Sequence, residues 1–299
     1  NCRVGSGQAS AGIGRSGERF TIACDGGGNS AVPYNFCPRS IAGVNQKRRT
    51  HKERNRVVSK YQGSSMTVRY TKQIVCLANS RKPPDGRCIA GREINDSGFG
   101  GWIRAVSARP THELLPQERC YRNGKDPCVL DIVSISMKIP QPHRYQQENH
   151  LIDDRYRWLE RGRVNWQALQ AAVETPSGPL WLNGYSSYHG QNDRVPESEA
   201  EKLTRSLYLI RPEQLLLSVA SEGDVLGPLH RRVRARFSLC GHSYILVVTD
   251  PKVEADLIPK EDGLFTVKEA LLCISLGEIY HGFAYKLAAT VITPQRART

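Results

Sequence analysis

Arg231-Arg232-Val233-Arg234-Ala235-Arg236-Phe237-Ser238-Leu239 alternates between charged or polar and apolar residues from its second position onward. Successive side chains of a β-strand point to opposite faces. Val233, Ala235, Phe237 and Leu239 are therefore assigned to a core, and Arg232, Arg234 and Arg236 to the opposite face as a cationic stripe. Cys240-Gly241 follows, and a second apolar run occupies 242–249. Glycine permits the tight turn, so the two runs are expected to pair as a hairpin.

Working outward, short apolar or alternating runs bounded by Gly and Pro are expected as strands at 68–78, 87–91, 102–106, 128–139, 206–210, 215–221, 271–276 and 284–292. Within 128–139, Val129, Val133, Ile135, Met137 and Ile139 share one face, with Ser134, Ser136 and Lys138 on the other. Lys82-Pro83-Pro84-Asp85-Gly86 and Asn95-Asp96-Ser97-Gly98 carry turn residues. The middle of the chain changes character. A helical turn is expected at 156–161, and Asn165 is expected to cap a short helix through 173, ended before Pro176. Pro196 followed by Glu197, Glu199 and Glu201 resembles the acidic first turn of another helix. Between these lies a loop at 178–190 rich in Trp, Tyr and Gly. No internal repeat is strong enough to prove duplication.

Charge is unevenly distributed. The chain carries a formal +13, but its first 65 residues hold 11 Lys/Arg against 3 Asp/Glu and account for +8 of it, leaving +5 for the rest. That leader also holds 10 of the 26 glycines, and the first methionine is Met66, so 1–65 is expected to be non-native or disordered. Its run Lys47-Arg48-Arg49-Thr50-His51-Lys52-Glu53-Arg54-Asn55-Arg56 reads as translated upstream sequence or a solvated tail, or else as a phosphate-binding arm. No stretch reaches the roughly 18 to 20 apolar residues of a membrane helix, and the first 30 residues lack the apolar segment of a secretory signal. A soluble, cytoplasmic protein with no membrane association is expected. Six of the nine cysteines follow Met66, and none forms a CxxC pair, so buried thiols are expected in place of disulfides or zinc ligands. HExxH, GxSxG and Walker A patterns are missing. No cofactor or metal is expected, and an enzyme is the less favoured class.

Three sets of residues carry possible chemistry. The stripe Arg232, Arg234, Arg236 places cations about 6.6 to 6.8 Å apart, a spacing suited to phosphates of an extended strand. The alternative is a solvated face whose arginines pair with carboxylates on neighbouring strands. Asn79, Ser80, Arg81, Lys82 and Arg87 surround a Pro/Gly turn that can present N–H groups and cations to a phosphate. Trp102 and Arg104 share a strand face, so an indole and a guanidinium can meet a base and its backbone, or else belong to the core and a buried ion pair. Tyr185, Tyr188 and His189, beside Asp193 and Arg194, line a pocket or pack between domains; Tyr285 and Lys286 fall on opposite faces. Glu148, His150, Asp153 and Asp154 form either an acid/base or metal cluster or a solvated loop.

Several phrases carry a family resemblance: Cys76-Leu77-Ala78-Asn79-Ser80-Arg81-Lys82, Gly86-Arg87-Cys88-Ile89-Ala90-Gly91, Gly101-Trp102-Ile103-Arg104-Ala105-Val106-Ser107, Val247-Val248-Thr249-Asp250-Pro251 and Gly282-Phe283-Ala284-Tyr285-Lys286-Leu287. Over roughly 72–293 the chain resembles the dual OB-containing domain, a prokaryotic family of two OB-like β-barrels. With the strand distribution, this implies a mainly β fold: a first OB-like barrel at 66–150, a helical and aromatic-loop connector at 151–205 and a second OB-like barrel at 206–299. It also implies binding of single-stranded DNA or RNA, or of a nucleotide-like ligand, through the arginines and aromatics named above. Protein partners in a prokaryotic defence or repair assembly follow from the same resemblance. An enzyme acting on a nucleotide or modified base in the inter-barrel cleft, and a protein-binding adaptor, are the alternatives.

Overall fold

The computed structural model describes residues 69–223 and 229–298. The leader expected at 1–65, with its basic run, lies outside the described residues. The chain is mainly β, and its strands form two sheets.

The first sheet contains β1 (Tyr70–Lys82), β2 (Gly86–Asn95), β3 (Gly98–Val106), β4 (Asp131–Pro140), β5 (Asn149–Ile152) and β6 (Leu159–Arg163), with α1 (Pro116–Arg119) between β3 and β4. Its order is β1-β2-β3-β5-β4, closed by pairing of β1 with β4, and β6 is added on the far edge of β4. The long β1 divides its edges: Tyr70 to Val75 pair with β4, and Ile74 to Lys82 with β2. Because β3 and β5 run parallel, β4 must intervene between them, and a five-stranded Greek-key barrel results.

Burial explains why β1 has a continuous apolar run. Ile74 and Cys76 point into the barrel, while Val75, Leu77 and Ala78 point outward into a second core. A strand covered on both faces has no polar side to show. The register shifts between Cys76 and Ala78, opposite Gly91. A Cβ at Gly91 would lie 1.9 Å from the Val75 carbonyl oxygen, so only glycine fits there.

The second sheet repeats the plan. It contains β7 (Arg194–Pro196), β8 (Leu207–Ile210), β9 (Gln214–Glu222), β10 (His230–Leu239), β11 (His242–Val248), β12 (Gly263–Val267), β13 (Leu271–Tyr280) and β14 (Phe283–Ile292). Here β8 pairs with β13 and β9 with β10, the same division of labour as within β1. The break falls at Arg211-Pro212-Glu213, where proline lacks the N–H a ladder needs. β11 and β14 run parallel, as β3 and β5 do. The expected hairpin is present: β10 and β11 pair antiparallel around Cys240 and Gly241, both at positive φ (50° and 74°). Asp250, from one of the family-like phrases, caps α4 (Pro251–Leu257) by accepting the Lys252 N–H at 3.1 Å, with Pro251 in the first turn.

Between the sheets, α2 (Trp166–Leu169) begins as expected, with Asn165 Oδ1 accepting the Ala168 N–H at 2.8 Å. The acidic turn is α3 (Glu197–Ala200). The helical turn expected at 156–161 is instead largely strand: β6 covers Leu159–Arg163 on the edge of β4. Local composition suited a helix, but the free edge of β4 supplied a ladder and the first core took Trp158, which is fully buried. Thus β6 builds the near end of the segment 151–205 into the first sheet, and β7 builds its far end into the second by pairing with β14.

The barrels share a core. Val75, Leu77, Ala78 and Ala90 of the first pack with Leu207, Leu209, Leu271, Cys273, Ala289 and Ile292 of the second. Each buried Leu, Ile or Val contributes about 1.5 to 3 kcal/mol, so this seam is a main source of stability. No helix among the described residues is long and apolar enough to cross a membrane.

Candidate nucleic-acid interface

The set expected around the first turn is brought together by the end of β1, by β2 and by β3, and its surroundings are the seam. Arg81 donates through Nε and a terminal nitrogen to Glu254 on α4, at 3.2 and 3.0 Å. Its backbone N–H reaches the Thr249 carbonyl of the second barrel at 2.8 Å. Lys82 donates to Glu278 on β13 at 2.7 Å. Asn79 donates to the Pro127 carbonyl at 2.8 Å, and Ser80 is buried. Arg87 is half-buried; burial, then the nearby Arg119 charge, lowers its pKa.

Trp102 and Arg104 do share the outer face of β3, and that face is covered. The Trp102 indole donates to Glu174 at 3.1 Å. Arg104 donates to Ser206 at 2.9 Å and Ser275 at 3.2 Å, both in the second barrel, and lies 3.3 Å from Glu148. Of the surface through which OB barrels contact oligonucleotides, the outer β2–β3 face and the β4–β5 loop are here packed on the second barrel, while the β1–β2 loop at 83–85 stays exposed. Arg81, Lys82 and Arg104 each have a carboxylate partner inside the chain.

A cavity of about 340 Å³ opens at one end of the seam, lined by His143, Arg144, Tyr145, Gln146, Glu278 and Ile279. Glu278 stands where the β13–β14 register slips between Leu276 and Ile279, a bulge that re-aims its side chain. Burial raises its carboxyl, but the bonds from Lys82 and His112 outweigh this and hold it below the usual carboxylate range. The His112 ring lies 3.2 Å from Glu278 through Nδ1, and its centroid is 4.9 Å from that of His143. Burial, then His112, lowers the His143 pKa.

Glu148, His150, Asp153 and Asp154 do not converge. Glu148 meets Arg104, Asp153 is held by Arg155 at 2.7 Å, Asp154 pairs with Lys138 at 2.8 Å, and His150 contacts the Tyr70 hydroxyl at 2.6 Å. Among the described residues, no group of three His, Cys, Asp or Glu side chains is placed to hold a metal.

The stripe on β10 divides. Val233, Ala235, Phe237 and Leu239 lie in the second core, as alternation requires. Opposite them, Arg234 is buried and donates two bonds to Glu222, at 2.6 and 2.7 Å. Arg236 is exposed and donates to the Ser218 hydroxyl at 3.1 Å, Arg232 is half-exposed, and neither has an ion pair among the described residues. Arg236 pairs in register with Ile245, and Ile245 exchanges backbone bonds with Gln191. Through Gln191 the connector reaches the edge of β11.

Beyond that edge the connector and the β13–β14 hairpin expose aromatic rings. Phe283 and Tyr285 point outward on β14, while Ala284 and Lys286 point inward. The Arg194 guanidinium lies 4.1 Å from the Phe283 ring centroid, and the Tyr185 centroid lies 6.5 Å from it. Tyr280 contacts His281 at 4.1 Å and Tyr285 at 6.4 Å between centroids. Tyr280 and Tyr188 are 64% and 90% exposed. Tyr280 and Phe283 escaped the sequence reading, although two rings flanking His281-Gly282 are legible as a hairpin tip; both turn residues have positive φ.

Lys286 is the inward member of its pair. It is buried, and its ammonium donates to the Leu182 carbonyl at 2.6 Å and Asn183 Oδ1 at 3.1 Å. Burial pushes its pKa down to about 7, against the opposing effect of Asp193. It thereby ties the connector loop to the barrel wall.

No curated protein matches the chain in sequence. Among solved structures, the "Crystal structure of the tetrameric p202 HIN2" is similar over 75% of this chain and 94% of that one, at 9% identity and a TM-score of 0.28, too low to inform the site. The dual OB-containing domain matches residues 72–291, from β1 to the end of β14. With two five-stranded Greek-key barrels built to one plan inside that match, the chain belongs to the dual OB-containing domain family.

Proposed function

We propose that the chain binds single-stranded nucleic acid or a nucleotide-like ligand on the outer face of its second barrel, with Arg232 and Arg236 taking phosphates. One observation carries this reading: the two arginines have no carboxylate partner among the described residues and share one face of β10, where Arg236 is exposed and Arg232 half-exposed. They stand about 13 Å apart along the strand, enough to meet an extended backbone at two points. Arg81, Lys82 and Arg104 of the first barrel, by contrast, serve the seam. Ion-paired arginine must lose its carboxylate before it can take a phosphate, which weakens any binding there.

The test is binding of fluorescent single-stranded DNA and RNA by the full chain between about 50 and 200 mM salt. In a variant carrying R232S and R236S, the magnitude of the salt slope should fall by about 0.7 for each phosphate that is no longer neutralised. A folded variant with unchanged affinity and slope would sink the assignment.

A second reading, an enzyme acting on a nucleotide or modified base in the cleft, is favoured by one feature. Glu278, His112 and His143 meet beside the 340 Å³ cavity. A carboxylate that orients an imidazole is a common acid/base arrangement. Turnover of a nucleotide by the wild type, abolished by Glu278→Gln, would favour this reading over simple binding.

A further inference from the structure

We infer that Tyr185, Tyr188, Tyr280, Phe283 and Tyr285, with Arg194, form a stacking platform for the bases of a single strand whose phosphates run along β10. The inference rests on the nucleic-acid reading above and assigns to it a second, uncharged component. Most of these side chains are linked. Arg194 and Tyr285 are paired across β7 and β14, Arg194 lies over the Phe283 ring, Tyr185 packs near that ring, and Tyr280 adjoins Tyr285. The linked rings Tyr280 and Tyr185 are still 64% and 40% exposed, and Tyr188, on the same loop as Tyr185, is 90% exposed beside His189. Exposed apolar surface of this kind, gathered in one place, marks a binding surface.

The loop bearing Tyr185 and Tyr188 is held in place. Gly184 N–H donates to Asn192 at 2.8 Å, Ser187 N–H to Asp193 at 2.7 Å and Asn192 N–H to Ser186 at 2.9 Å, and Lys286 anchors the loop's root. Tyr188 is therefore presented on an ordered support, with little ordering left to do on binding. The occupant follows from the chemistry. Flat rings beside a guanidinium suit planar, electron-rich bases, and Arg232 and Arg236 of the same barrel, with no ion pair among the described residues, suit the phosphates joined to them. Duplex DNA hides its base faces, so the platform selects single strands.

The test compares the full chain binding a single-stranded oligothymidylate and an abasic strand of equal length. The phosphates are identical, and only the bases differ. The wild type should bind the base-bearing strand more tightly with a similar salt slope. A variant carrying Y188A and Y280A should lose about 5- to 150-fold in affinity per stacked base and no longer discriminate the two strands. Both side chains are exposed, and circular dichroism checks that the fold survives. Equal wild-type binding of the two strands, or full discrimination in the folded variant, would overturn the platform while leaving the phosphate reading intact. If neither strand binds, both readings fall together.

Discussion

Arg104 of the first barrel lies 3.3 Å from Glu148, and the same guanidinium nitrogen donates to Ser206 and Ser275 of the second barrel. Ser206 in turn donates to Glu148, so the network is closed within the seam. Arg104→Ala would leave the Glu148 carboxylate buried without its counter-charge. Loss of about 3 to 5 kcal/mol is expected, measured by urea denaturation. The double variant R104A with E148A should lose less than the two single losses combined, because neither charge is then stranded.

The shared apolar cluster makes the barrels one cooperative unit. Calorimetry should show a single transition, with calorimetric and van't Hoff enthalpies in agreement. Leu209→Ala, at a fully buried seam position, should shift that transition as a whole, at a cost of about 2 to 5 kcal/mol. Two separately moving transitions would show that the barrels fold independently.

Neighbouring arginines on β10 should respond in opposite ways. Arg234→Ser strands the Glu222 carboxylate and should lower stability, with little direct effect on ligand. Arg236→Ser should leave the melting temperature within about 2 °C, the change expected of a surface substitution, and should weaken oligonucleotide binding. Equal binding losses in the two variants would place both side chains at the ligand.

Lys286 imposes a pH dependence whose sign is fixed by burial. Its pKa is about 7 in the folded chain against 10.5 for a free lysine, so between these values the unfolded chain holds more protons. Stability therefore rises with pH across this window, and the contribution is lost as pH falls through about 7. Denaturation between pH 7 and pH 9 should show this rise in the wild type. Lys286→Met should flatten it.

On the acid side, burial lowers the pKa values of His143 and His150. The fold disfavours protonation of both imidazoles, so the stability they contribute is present above the ordinary histidine pKa of 6.5 and falls as the pH drops below it. His143→Gln should reduce the acid sensitivity measured from pH 7 to pH 5.

Much of the fold was legible because alternation and capping are local. The hairpin of β10 and β11, the inward set Val233, Ala235 and Phe237, and the Asn165 cap all follow from residues a few positions apart. The strand β6 was not legible, since its backbone partners belong to β4 and its neighbour Trp158 fills a core built from distant segments. The fate of the cations was equally hidden. Arg81 finds Glu254 across 173 residues and Lys82 finds Glu278 across 196. Sequence alone determined which face of each strand carries charge. Only the tertiary structure decided which charges face water, because packing one barrel on the other desolvates the β2–β3 face and forces each cation buried there to find a partner within the chain.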